Sequence, residues 1–149
     1  MTAAVDRWTI ADLPEQTGRT VVVTGPSLGG LGQHTALELA RRGARVVLAG
    51  RRAERLAETA AAIHAEVDGA DVEQVVVDLA DLGSVRRGAA ELAGLGPVHV
   101  LVNNAGVMAP PYSRTGDGLE LQMATNHFGP FLLTGLLLPQ LVAAEGARV

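Results

Sequence analysis

Four glycines fall between Gly25 and Gly32, in the stretch TGPSLGGLG that follows the apolar run TVVV. A glycine-rich turn after a buried strand lets the backbone approach an anion. The helix that follows presents its free N–H groups to the same point. Phosphate is the ligand such a turn suits. A P-loop, G-x-x-x-x-G-K-[ST], needs lysine after its second glycine. Gly25 and Gly30 have that separation, but Leu31 stands in the lysine position and the chain contains no lysine at all. This excludes a P-loop nucleotidase and any mechanism that requires lysine from these residues. The dinucleotide fingerprint G-x-G-x-x-G is matched by no three of the four glycines. What remains is a looser turn, with Gly25 ending the strand and Gly30, Leu31 and Gly32 opening a helix. A tight strand-to-helix connection without a ligand is the alternative.

A second constellation lies about twenty residues on. In dinucleotide folds an acidic residue at that distance bonds the ribose 2′-hydroxyl of NAD. Here the sequence reads LAGRR, with Arg51 and Arg52 and no carboxylate. A carboxylate would repel a 2′-phosphate, whereas arginine pairs with one through two parallel hydrogen bonds. Arg51, Arg52 and Arg55 also open a predicted helix, where cations oppose the helix dipole. A bound anion would relieve that opposition. The residues favour NADP over NAD, with a solvated basic turn as the other reading.

The elements that position these residues follow from the apolar pattern. Strands are predicted at Thr20–Thr24, Arg45–Ala49, Gln74–Val77 and Val98–Val102. Helices are predicted at Gly32–Arg42, Ala53–Val67 and Leu82–Leu92, the last with Asp81 as N-cap. A loop with two prolines leads to a long helical pattern from about Leu119 to Ala144, and the final residues Gly146–Val149 read as a fifth strand starting. Short apolar strands alternating with helices predict an α/β fold with a parallel sheet covered on both faces. The 149 residues suffice for one domain. Only four are aromatic, there is no cysteine, and the net charge of -4 offers no basic surface to nucleic acid. The first 17 residues carry no apolar leader and no recognisable chemistry, and the longest apolar run, Phe131–Ala144, is short for a membrane span. A soluble cytoplasmic protein is expected. The four histidines, at 34, 64, 99 and 127, show no metal-ligand spacing, so no metal site is expected.

With these motifs in order, the chain resembles the short-chain dehydrogenase/reductase family, closest to its retinol-dehydrogenase-like and bacterial oxidoreductase members. TGPSLGGLG is similar to that family's TGxxxGxG turn with one extra residue. Asp78-Leu79 resembles its adenine-contacting pair, and Asn103-Asn104-Ala105-Gly106 its NNAG motif. MAPPYSRTGDGLELQMATNHFGPFLLTGLLLPQL resembles the approach to its long interface helix. The resemblance implies a Rossmann-type doubly wound parallel sheet, here its first βαβαβ half plus the fourth strand-helix unit. It implies cofactor contacts from Gly25, Ser27, Gly30, Leu31, Gly32, Arg51, Arg52, Asp78, Leu79, Asn104, Ala105 and Gly106. Gly30, Leu31 and Gly32 would offer N–H groups to the pyrophosphate while Pro26, Ser27 and Leu28 bulge. On that reading Gly30→Val abolishes binding.

Asn126 matches the helix asparagine of the family's catalytic tetrad. Pro130, four residues later, has no N–H, so the carbonyl of Asn126 is expected to lose its helical partner and to be able to hold a water. The resemblance assigns that water to a proton relay. The family's serine and Tyr-x-x-x-Lys follow the fifth strand and are not among these residues. The one tyrosine, Tyr112, has glycine four positions on. The expectation is an NADP-dependent oxidoreductase, hydride passing between nicotinamide and a small-molecule carbonyl or alcohol, with little activity from these residues alone. A non-catalytic nucleotide-binding or interaction module and one half of a split enzyme are the alternatives. The helix at 119–144 is a candidate surface for homo-oligomer formation.

Overall fold

The computed structural model describes residues 8–149. Its centre is a strand, β1 (Thr20–Thr24), that is buried along its whole length. TVVVT has apolar side chains on both faces, as a strand covered by helices on each side requires. β1 pairs in parallel with β2 (Arg45–Gly50) on one flank and β4 (Val100–Val102) on the other. β3 (Val72–Val76) lies outside β2, giving the order β3-β2-β1-β4. Where a fifth strand is expected, Arg148 makes a single isolated parallel bridge to Val100, and the sheet has four strands among the described residues.

Successive strand residues point to opposite faces, and the core divides accordingly. Val21, Val23, Val46 and Leu48 pack under α1 (Leu31–Arg41) and α2 (Ala53–Glu66). Val22, Val47, Val75 and Leu101 pack on the other face, under α3 (Leu82–Gly94) and Leu133 and Leu137 from the C-terminal helices. Asp81 caps α3 by accepting from the N–H groups of Gly83 and Ser84.

Most element ends differ from expectation by one or two residues, and three elements differ in ways that have a physical reason. β3 starts two residues earlier, at Val72, because it is the edge strand and can carry polar residues. Glu73 pairs there with Arg45 of β2. β4 starts later, at Val100. Before it, Val98 donates its N–H to the Gln140 carbonyl and His99 to that of Thr20. The long helix is four pieces rather than one: α4 (Leu121–Met123), a π turn (Ala124–Phe128), α5 (Gly129–Leu136) and α6 (Leu138–Ala143). It starts at Leu121 because Glu120 is the N-cap. Its carboxylate accepts from the N–H groups of Gln122 and then Met123, which hold it below the usual carboxylate range.

α5 and α6 leave Phe131, Leu138 and Val142 exposed. No helix among the described residues is long and apolar enough to cross a membrane. No group of three or more described acidic or histidine residues is placed to hold a metal ion. The expectations for residues 1–7 of the N-terminal extension lie outside the described residues. Within its described part, the carbonyls of Ile10 and Ala11 accept from Arg42 Nη2 at the C-terminal end of α1, remote from the glycine turn.

Candidate functional site

From β1 the chain proceeds outward through β2 and β3, then crosses back to β4 on the other side of β1. That reversal is a topological switch point, and open α/β sheets bind ligands in the crevice beyond the strand ends there. All four predicted motifs fall at these ends: the glycine turn after β1, the arginines after β2, Asp78 after β3, Asn104 after β4. Together they line one cleft of about 350 Å³.

The ends of β1 and β4 are bolted together. Asn104 Nδ2 donates to the carbonyls of Thr24 (2.9 Å) and Gly25 (3.0 Å). Ala105 N–H donates to Thr24 Oγ1, which in turn donates to the Val102 carbonyl. This leaves no room at two glycines. A Cβ on Gly25 would stand 2.7 Å from Ala105 Cα, and one on Gly32 would stand 2.5 Å from Asn104 Nδ2. Gly25 also has a φ of 65°, a conformation that disfavours any Cβ.

Gly30 differs from expectation. Its φ is -94° and a Cβ there would meet only the Ser27 carbonyl, at 3.1 Å. Its N–H is already bonded to that carbonyl. The bond closes a β-turn, Ser27–Gly30, whose third residue, Gly29, has a φ of 74°. The extra residue is thus absorbed by a turn that needs glycine at that place, not by a bulge over Pro26–Leu28. Gly29 N–H is held by Gln33 Oε1. The N–H groups of Leu31 and Gly32, in the first turn of α1, have no acceptor within the helix and remain for an anion.

Across the cleft, Arg52 is the N-cap of α2 and makes no capping bond with its side chain. Arg51 and Arg52 form no ion pair among the described residues, whereas Arg55 pairs with Glu58. Asp78 turns its Oδ1 back to accept from Ala80 N–H, and Leu79 is buried in the core at the cleft floor. The side chain of Asn104 is spent on the strand-end bolt, so it shapes the cleft instead of reaching into it. Ala105 and Gly106 complete that wall.

Asn126 stands just past the cleft lining. Its Oδ1 accepts from Val107 N–H (2.8 Å) and its Nδ2 donates to the Val107 carbonyl (2.7 Å). Both ends of the amide therefore hold the loop after β4. The proline effect takes the form of a π turn: the helix widens over Ala124–Phe128, and Gly129 N–H reaches the Ala124 carbonyl. Tyr112 lies in the exposed loop before Asn126. Of the four histidines, His99 accepts from Thr20 N–H at Nδ1, and His34, His64 and His127 are exposed.

The sequence reading missed Thr59. Its hydroxyl, on the buried side of α2, donates to the Pro26 carbonyl at 2.8 Å. The signal was present: Leu56, Thr59, Ala60 and Ile63 follow the spacing of a buried helix stripe, and Thr59 is its one polar member.

The family profile described as short chain dehydrogenase matches residues 19–149. The chain belongs to the short-chain dehydrogenase family. Among relatives of this family, an uncharacterized oxidoreductase of Schizosaccharomyces pombe is 47% identical over 136 residues, 91% of this chain and 40% of the relative. Retinol dehydrogenase 12 of Bos taurus is 47% identical over 133 residues, 89% of this chain and 42% of its own length. A crystal structure from Mycobacterium paratuberculosis has a TM-score of 0.77 at 48% identity, over 89% of this chain and 46% of that one. A short chain dehydrogenase from Escherichia coli, crystallised with NADPH, has a TM-score of 0.74 at 29% identity, over 87% and 56%. The chain thus spans about two fifths of the length of these two curated relatives.

Proposed function

We propose that this chain carries the NADP-binding half of a short-chain dehydrogenase site. The observation that carries this reading is the cleft itself. A glycine turn in which a Cβ would fill the space at Gly25 and Gly32 faces Arg51 and Arg52, which lack protein partners among the described residues. The fit to a dinucleotide is chemical as well as spatial. Leu31 and Gly32 offer N–H groups at a helix N-terminus to a pyrophosphate. Arg51 and Arg52 offer bidentate donors to a 2′-phosphate, and no carboxylate stands in the position that selects NAD. Asp78, Leu79 and the Ala105–Gly106 wall border the adenosine side. NADP-bound and NADPH-bound relatives among the solved structures support the same cofactor.

When bound, the nicotinamide would exchange hydride with a carbonyl or alcohol carbon. Asn126 would act there by fixing Val107, and through it the loop at the nicotinamide end of the cleft. Residues 1–149 are read as one dinucleotide-binding domain, with 1–17 as an extension. Self-association through Phe131, Leu138 and Val142 belongs to the same proposal.

These residues supply no lysine, and Tyr112 is not among the residues that line the cleft. That favours, for this stretch, binding without turnover. The purified 149-residue chain is expected to bind 2′,5′-ADP about as tightly as NADP and to reduce no carbonyl above background. Measurable NADPH-dependent turnover, or NADP binding far tighter than 2′,5′-ADP, would show that these residues build more of the nicotinamide site than we assign them.

A further inference from the structure

Thr59 is the only polar side chain on the buried stripe of α2, and it has no solvent exposure. A buried hydroxyl is tolerated when it is hydrogen-bonded. Its oxygen lies 2.8 Å from the Pro26 carbonyl and 3.0 Å from that of Arg55. The Arg55 carbonyl also has a partner within the helix, the backbone N–H four residues on. The Pro26 carbonyl receives no other hydrogen bond among the described residues, and proline has no N–H of its own. Thr59 is therefore the sole hydrogen-bond tether of Pro26, which is the first residue of the lengthened turn. The same helix has Arg52 as its N-cap and carries Arg55 one turn before Thr59.

We propose that Thr59 is a positioning residue for the cofactor. It fixes the glycine turn against α2, so that the pyrophosphate donors at Leu31 and Gly32 and the arginines at the start of α2 keep one spacing. This rests on the dinucleotide reading above. A ligand that touches only the arginines should not sense the tether, whereas one that spans arginines and turn should.

Thr59→Val keeps the branched shape and removes the donor, and Thr59→Ser keeps the hydroxyl. Dissociation constants for NADP and for adenosine 2′-monophosphate, measured well below the unfolding temperature, separate the cases. For Thr59→Val, NADP is expected to weaken roughly tenfold or more, since the turn, no longer tied to α2 at Pro26, must be brought back to its spacing from the arginines on binding. Adenosine 2′-monophosphate is expected to stay within about twofold, because it touches only the arginines, and Thr59→Ser to recover most of the NADP affinity, because serine keeps the donor to the Pro26 carbonyl. If Thr59→Val does not fold, Thr59→Ala is read by the same criteria. Unchanged NADP binding, equal weakening of both ligands, or a serine variant no better than valine would each overturn the proposal. Failure of the unsubstituted chain to bind either nucleotide would instead overturn the dinucleotide reading, and this inference with it.

Discussion

Gly25→Ala is expected to abolish measurable NADP binding and to destabilise the chain by about 3 kcal/mol. Two effects add. A left-handed backbone costs a residue with a Cβ roughly 1–2 kcal/mol. Crowding a packed site costs roughly 1–3 kcal/mol more, and here the new methyl would stand 2.7 Å from Ala105 Cα and 2.8 Å from Ala105 Cβ. Backbone is the obstacle, so no side-chain rotation relieves it. The two strand ends must separate, breaking the Asn104 bonds to Thr24 and Gly25 that shape the cleft. Domains of this kind are stable by about 5–15 kcal/mol in total, so the variant should fold but melt early. Gly30→Ala is the contrast. Its φ of -94° suits alanine and its one neighbour is the Ser27 carbonyl at 3.1 Å. It is expected to bind NADP within about threefold of the parent, since a shift of a few tenths of an ångström accommodates the methyl at a cost below that of true overpacking. Thermal denaturation and NADP titration of the pair check both statements. A Gly25→Ala chain that melts and binds like its parent would mean the turn is not held against Ala105 as described.

The second large effect concerns charge. In Arg51→Glu/Arg52→Glu, NADP affinity should fall by about a hundredfold or more, because charge-assisted bonds are worth roughly 1.5–3 kcal/mol each. NAD affinity should hold or improve, because a carboxylate in that region can accept from the 2′-hydroxyl. Stability should not suffer. Both arginines lie at the N-terminal end of α2 without ion-pair partners among the described residues. Carboxylates are favoured there by about 0.3–1 kcal/mol through the helix dipole. A loss of NADP binding in a chain that melts no lower is therefore a loss of recognition. Equal losses for NADP and NAD would assign the arginines to a general anion attraction without preference for the 2′-phosphate.

The fold was legible because its signals are local and strong. Apolar runs such as Thr20–Thr24 are buried on both faces, and Asp81 announces the start of α3. The placement of four motifs at strand ends followed from the order of strands and helices alone. What could not be read depends on contacts between distant segments. Gly30 and Gly32 look alike in sequence. Only the approach of Asn104, seventy-two residues beyond Gly32, makes the second indispensable in space. Asn104 resembles a ligand contact until its amide is seen spent on Thr24 and Gly25. The missing N–H of Pro130 was visible, but the widening of the helix into a π turn over Ala124–Phe128 was not. Thr59 was visible as a polar residue in an apolar stripe, yet its partner, Pro26, lies thirty-three residues away.

Calorimetric titration of the 149-residue chain with NADP and with NAD, at matched ionic strength, tests the central claim most directly. NADP is expected to bind at least about tenfold more tightly, the difference that a paired 2′-phosphate makes, and added salt should narrow the gap. NAD binding as tight as NADP or tighter, or no heat from either, would contradict the assignment of this cleft.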